Sequence, residues 1–222
     1  MSAPNELKDK LNREVTDEVK PYRHADYPID PAFVNRWSPY AFSPEPIDDQ
    51  TLMSVFEAAR WAASSYNEQP WRFILARSDE DRKKFVDFLS PPNQIWAKNA
   101  PVLVLLIAKK TFSHNGSPNR VHQFDTGTCS GYMTLQAAMN GLYAHGMAGF
   151  DTDMARATLG IPSDFEIMAV FAIGRRGDTN DLPADMAARQ VPSGRRSVSE
   201  SVMEGHFVAQ KEESAERDTE NA

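Results

Sequence analysis

Residues Ala100 to Ala108 read APVLVLLIA, the longest apolar run in the chain. It falls far short of the roughly 20 residues that cross a bilayer, so its place is a protein core. A strand with one wet face alternates apolar and polar residues, and this one does not. It must lie centrally in a sheet, covered on both faces.

The neighbouring periodicities supply that cover. In PIDDQTLMSVFEAARWAAS (46–64), Leu52, Val55, Phe56, Ala59 and Ala63 share one helical face, with Asp48 or Asp49 placed to cap the start. WRFILA (71–76) reads as a strand, DEDRKKFVDFLS (79–90) as a charged surface helix, and DTDMARATLGIP (151–162) as a short helix ended by Gly160 and Pro162. EIMAVFAIGRR (166–176) reads as the last strand. FDTGTCSGYMTLQAAMNGLYAHGM (124–147) reads as one long helix. Its Gly127, Gly131, Ala137, Ala138 and Gly141 suit close packing against another helix or a second subunit. Helices and strands alternate without tight hairpin signals, so the class is α/β or α+β, with helices covering a sheet.

The 222 residues suffice for one sizeable domain, and 41% hydrophobic content is globular. The expected division is a polar N-terminal arm (1–32), a folded body (33–207) and a charged tail (208–222). The arm should be a loose helix and an extended stretch around Pro21, Pro28 and Pro31. A net charge of −7 argues against nucleic acid or an anionic membrane as partner. The single cysteine, Cys129, allows no intrachain disulfide, and MSAPNELKDKLNREV lacks a signal-type apolar stretch. A reducing, cytoplasmic setting is expected.

Several chemistries find no support. The five histidines form no HExxH pair and there is no CxxC, so no metal site is expected. His114 and His122 read as loop decoration, and Cys129 as a small buried thiol inside a helix. Neither GxSxG, GxGxxG nor GxxxxGK[ST] occurs. Any bound phosphate must be held by arginines and hydroxyls.

One connection is unusual. In AARWAASSYNEQPWRFILA (58–76) a helix passes into a strand through Ser64-Ser65-Tyr66-Asn67-Glu68-Gln69, closed by Pro70 and Trp71. Pro70 biases Gln69 toward an extended backbone, and Trp71 can bury the strand's start. The turn either caps a helix, as Ser and Asn do widely, or presents hydroxyls, amides and backbone N–H groups to a flat heterocycle.

A second segment, NRWSPYAFSPEPI (35–47), precedes the first amphipathic helix, and together the two resemble the nitroreductase family of FMN-dependent oxidoreductases. The family's R-x-S element stands here as Arg36-Trp37-Ser38, and its PSSxNxQPW element as Ala63 to Trp71. Asn93 occupies the ring-contacting asparagine's place before Ala100-Pro101. HGMAGFD (145–151) matches the loop whose backbone lies near flavin N5. Arg195-Arg196 match a phosphate-binding basic pair. Departures are Ala63 for the leading proline, Tyr40 for a basic residue, Ala148 for a glutamate and Trp96 for a lysine.

The resemblance implies a nitroreductase-like α+β fold, with a mixed or antiparallel sheet covered by helices and an intertwined homodimer carrying FMN at the subunit interface. It implies FMN contacts from Arg36, Trp37, Ser38, Ala63, Ser64, Ser65, Asn67, Asn93, Met147, Ala148, Gly149, Arg195 and Arg196, with Tyr66 and Tyr40 facing substrate. NAD(P)H would deliver hydride to flavin N5, and a nitro, quinone or similar electron-poor acceptor would then receive the electrons. No catalytic side chain is expected, and His145 reads as a cation at a helix C-terminus. The alternatives are a flavin enzyme dedicated to one metabolite, and a non-catalytic flavin-binding protein.

Overall fold

The computed structural model describes residues 14–209. Those parts of the expected arm and tail that precede residue 14 and follow residue 209 lie outside the described residues. Among the described residues seven α-helices and four strands follow one another: α1 (Pro31–Asn35), α2 (Asp49–Ala59), β1 (Trp71–Ala76), α3 (Asp79–Phe88), α4 (Pro91–Ala97), β2 (Val102–Lys109), α5 (His122–Met139), β3 (Tyr143–Met147), α6 (Thr152–Leu159), β4 (Phe165–Gly174) and α7 (Ala184–Ala188). The strands form one antiparallel sheet in the order β1-β2-β4-β3.

Strand β2 is central, as its apolar run demands. Leu103, Leu105 and Ile107 enter one core with Phe85, Phe88 and Trp96, while Val102, Val104 and Leu106 enter another with Leu52, Phe56 and Met133. Each face thus has its own helical cover: α3 and α4 on one side, α2 and α5 on the other. Helix α2 starts where expected, the Asp48 side chain accepting from the Thr51 N–H at 2.8 Å. The small-residue helix turns Cys129, Met133 and Ala137 inward against α2. Its Gly127 and Gly131 face outward, where an added Cβ meets nothing within 4 Å.

Two expectations fail here. The helix does not continue to Met147: Gly141 adopts φ +71, Leu142 N–H returns to the Ala137 carbonyl at 2.8 Å, and Tyr143–Met147 become the edge strand β3. A left-handed glycine closes a helix in this way. His145 is therefore a strand residue and not a cation at a helix end. Gln69, expected to be extended before Pro70, has φ +50, because its N–H is drawn to Ser64 Oγ at 3.0 Å.

The segment after Arg36 is strapped to the end of β4. Ser43 N–H reaches the Arg175 carbonyl and Gly177 N–H the Ala41 carbonyl, both at 3.0 Å. A Cβ on Gly177 would stand 2.5 Å from the carbonyl carbon and oxygen of Phe42. Since that obstacle is backbone, Gly177→Ala should cost about 1–3 kcal/mol and lower the melting temperature by about 3–10 °C. An unchanged thermal unfolding curve would show that the strap yields freely.

Candidate functional site

Three arginines from distant parts of the chain converge. Arg23, Arg36 and Arg195 line a polar cleft of about 120 Å³ together with Trp37, Ser38 and Ser193. The same three border an adjoining cavity of about 300 Å³, which Arg196 also lines. No carboxylate pairs with any of the three among the described residues. Burial, with Arg195 and then Arg36 adding like charge, pushes the Arg23 guanidinium down to about 10. Burial and Arg195 lower Arg36 as well. A partly buried cluster of one sign with no ion-paired carboxylate among the described residues is a ready anion site. Ser38 Oγ donates to the Ala144 carbonyl at 3.4 Å, placing this cleft beside the start of edge strand β3.

Farther along that edge, Asn93 Nδ2 donates to the Gly149 carbonyl at 3.0 Å and Ser90 N–H shares the same acceptor at 3.0 Å. A Cβ at Gly149 would lie 2.8 Å from Ser90 Oγ and 2.9 Å from Asn93 Nδ2, so a larger residue would require one of these side chains to shift. Ala148 and Gly149 are exposed, and Met147 is buried in the core. Trp37 is buried, edge-on to Tyr143 at 5.9 Å and beneath the Arg176 guanidinium at 5.1 Å. Tyr40 packs edge-on to Trp96 at 5.4 Å.

His145 lies between those rings, 4.5 Å from Trp96 and 5.0 Å from Tyr40. Its Nδ1 is 2.8 Å from the Pro39 carbonyl oxygen, which can only accept, so Nδ1 carries the proton. Burial lowers the imidazole below its ordinary range, against the opposing pull of that carbonyl. The unfolded chain gains a proton near pH 6.5 where the folded one does not, so this term favours folding above that pH and erodes below it. His145→Asn keeps a donor for Pro39 and removes the proton. The stability gap between wild type and variant, from urea unfolding, should narrow between about pH 7 and 5.5, by at most about 1.4 kcal/mol per pH unit. A constant gap would mean that His145 titrates normally.

The serine-rich turn is built differently. Ser65–Asn67 form a single 3₁₀ turn in which Tyr66 and Asn67 have φ +51 and +55, followed by Gln69 at +50. Left-handed backbone at non-glycine residues costs of order 1–2 kcal/mol each, and such strain concentrates at functional sites. The turn is held from three sides. Buried Asp125 of α5 accepts from Ser65 N–H at 3.0 Å, Glu68 accepts from Ser113 N–H at 2.9 Å, and Ser64 Oγ accepts from Gln69 N–H. Tyr66 is 85% exposed, with the Phe112 and His114 rings 5.6 and 6.1 Å away. Asn67 and Ala63 are exposed too, so a fixed polar edge faces outward.

These two halves are not adjacent. The turn precedes Trp71 on edge strand β1, level with Ala108, whereas Ser38 touches Ala144 on the opposite edge strand, level with Val102 through Ile173. Three strand spacings and six residues separate them, roughly 14 Å across and 20 Å along the sheet.

Sequence reasoning missed Arg23, whose approach to Arg36 and Ser193 rests on contacts remote in the chain, and buried Gln190, whose Oε1 accepts from the Tyr40 and Ala41 N–H groups at 2.7 Å. His122 is not loop decoration: it opens α5, with Nε2 2.6 Å from Glu166. Cys129 is buried as expected, and burial pushes its thiol up to about 12. No cluster of potential metal ligands occurs among the described residues.

Comparison with known proteins places this geometry in context. The model of the Nitroreductase family matches residues 34–94 and 88–175. A crystal structure described as "the oxidoreductase containing FMN" is 42% identical, covers 85% of this chain and 97% of its own, and superposes with a TM-score of 0.81. A Streptomyces coelicolor relative provisionally named NADH dehydrogenase/NAD(P)H nitroreductase is 28% identical over 161 residues, 64% of this chain and 80% of its own. The NADH dehydrogenase of Thermus thermophilus is 26% identical over 175 residues, 64% of this chain and 84% of its own.

Proposed function

The chain belongs to the nitroreductase family, and on that premise we propose that it is an FMN-dependent NAD(P)H oxidoreductase that reduces nitro, quinone or similar electron-poor acceptors. The observation that carries this reading is the cleft of three arginines beside Ser38, none of them ion-paired with a carboxylate among the described residues. A flavin phosphate brings close to two negative charges, and planar guanidinium groups bind it through paired N–H donors. The bonds from Ser90 N–H and Asn93 Nδ2 to the Gly149 carbonyl fix the course of the loop that would border the flat ring.

When bound, FMN supplies the hydride-accepting and electron-donating chemistry. This chain's residues hold and orient it. Arg36, Arg195 and the Ser38 hydroxyl take the phosphate end. Asn93 and the backbone of Ala148 and Gly149 offer hydrogen bonds along the ring edge, where fixed donors favour added negative charge. Buried Trp37 and Met147 stiffen the segments that carry these groups, as does Tyr40 against Trp96. Acceptors such as quinones can take protons from water, so no general acid is required of the protein.

The turn of Ser64, Ser65 and Asn67 completes a ring site only across a two-fold axis, because in one subunit it lies at the far corner of the sheet. Ala63 precedes it, and Tyr66 borders the place for the acceptor. Support for a homodimer comes from the outward face of α5, where Gly127 and Gly131 stand open beside Phe124, 76% exposed, and Tyr132, 46% exposed. No helix among the described residues is long and apolar enough to cross a membrane. A cytoplasmic location fits the single buried thiol.

Purified protein should be yellow, with flavin absorption bands, and rapid mixing with NADH or NADPH should bleach them before an added quinone restores them. A yellow protein that does not bleach would be a flavin-sequestering protein. A colourless one that takes up no FMN would overturn the reading.

A further inference from the structure

Arg23 precedes the family-matched segment, which begins at residue 34. It follows directly on a stretch of turns, residues 17–22, and this part of the arm is pinned to the domain at several points. Val19 is buried at 1% exposure, Thr16 N–H donates to Asn35 Oδ1 at 2.9 Å, and the Glu18 carboxylate accepts from Arg176 Nε at 3.3 Å. The Arg23 side chain spans two segments of the cleft. Its Nη1 donates to the Val34 and Arg36 carbonyls at 2.8 and 2.6 Å, and its Nε to the Ser193 carbonyl at 2.8 Å. One fork thus ties the backbone of Arg36 to the loop that carries Arg195.

We propose that Arg23 is a phosphate-positioning residue, so that the arm preceding the family domain forms part of the cofactor site. The proposal rests on the functional reading above. Carbonyl tethering alone could be done by neutral donors. A third positive charge beside Arg36 and Arg195 is unfavourable unless an anion joins them, since like charges raise the cost of a partly buried cluster. Asp26 lines the larger cavity, where its carboxylate accepts from Val198 N–H at 2.7 Å, but it forms no ion pair with the three arginines among the described residues. An arriving dianion turns the repulsion among the arginines into shared attraction. The shared anion then adds to the Arg23 fork in holding the arm and the loop carrying Arg195 against the domain.

Riboflavin carries the same ring without the phosphate and separates the two roles. With flavin removed, Arg23→Gln should bind FMN about tenfold to a hundredfold more weakly than wild type, with riboflavin affinity unchanged. An FMN-over-riboflavin preference equal to wild type would overturn the proposal and leave Arg23 a tether. A second measurement needs no variant. Tryptic cleavage of wild type after Lys20 and Arg23 should be slowed by FMN or inorganic phosphate and not by riboflavin. Equal protection by riboflavin would likewise refute it. Wild type that binds neither flavin would refute the functional reading itself, and this inference with it.

Discussion

FMN titrated into the Arg36→Ala protein should bind about tenfold to a hundredfold more weakly than into wild type, since a hydrogen bond to a charged group contributes roughly 1.5–3 kcal/mol. Arg36 is half-buried in the cleft and has no carboxylate partner to release among the described residues, so the whole effect should fall on the ligand. The stability pattern should then invert with loading. Without FMN, removing one of three mutually repelling guanidinium groups leaves thermal stability unchanged or raises it. With saturating FMN the variant loses about 1.4 kcal/mol of ligand stabilisation for each tenfold loss in affinity. Flavin fluorescence titration and paired melting curves check both halves. A variant that purifies with full FMN and wild-type affinity would place the phosphate elsewhere.

What could be read in advance follows physical range. The central place of β2 was legible because burial on both faces leaves no position for a polar residue, and the run itself records that. Helix α2 was legible because its cap and apolar stripe lie within a few turns. Strand β3 was not. Tyr143–Met147 is a short edge strand with an alanine and a glycine, and its separation from α5 depends on one left-handed glycine. That single error also turned His145 from a half-buried strand residue packed between Tyr40 and Trp96 into a helix-end cation. The Gln69 backbone went astray for a similar reason, since the preference imposed by Pro70 is weaker than the bond to Ser64 Oγ. Within the candidate site, Arg36, Asn93 and Gly149 could be found by motif. Arg23 could not, because it meets its partners through backbone carbonyls, one of them 170 residues away, and carbonyls leave no trace in side-chain spelling. Their convergence with Arg195 on one cleft is a property of the folded chain alone.

The separation of the strained turn from that cleft leads to the most demanding test. If Arg36 and Asn67 serve one flavin from opposite subunits, a homodimer of Arg36→Ala carries one defect in each of its two sites, and so does a homodimer of Asn67→Ala. Both should bind FMN weakly. In a heterodimer of the two variants the defects redistribute by the two-fold symmetry. One site has lost both residues, while the other has Arg36 from one chain and Asn67 from its partner and is intact. Tight FMN binding should therefore reappear at half the sites of each heterodimer, with reductase activity to match. The sheet geometry argues for this arrangement, since the strand positions next to the two groups, Ala144 and Trp71, stand at opposite corners of a four-stranded sheet, roughly 25 Å apart by strand spacing and rise. That is too far for one ring to bridge within a subunit. Co-expression of differently tagged variants, isolation of the doubly tagged dimer and FMN titration settle the matter. If heterodimers form and no wild-type-like site appears, Asn67 does not share a flavin with the partner's Arg36. The strained turn would then serve the architecture of its own subunit, with Asp125 and Ser113 as its reason for being polar.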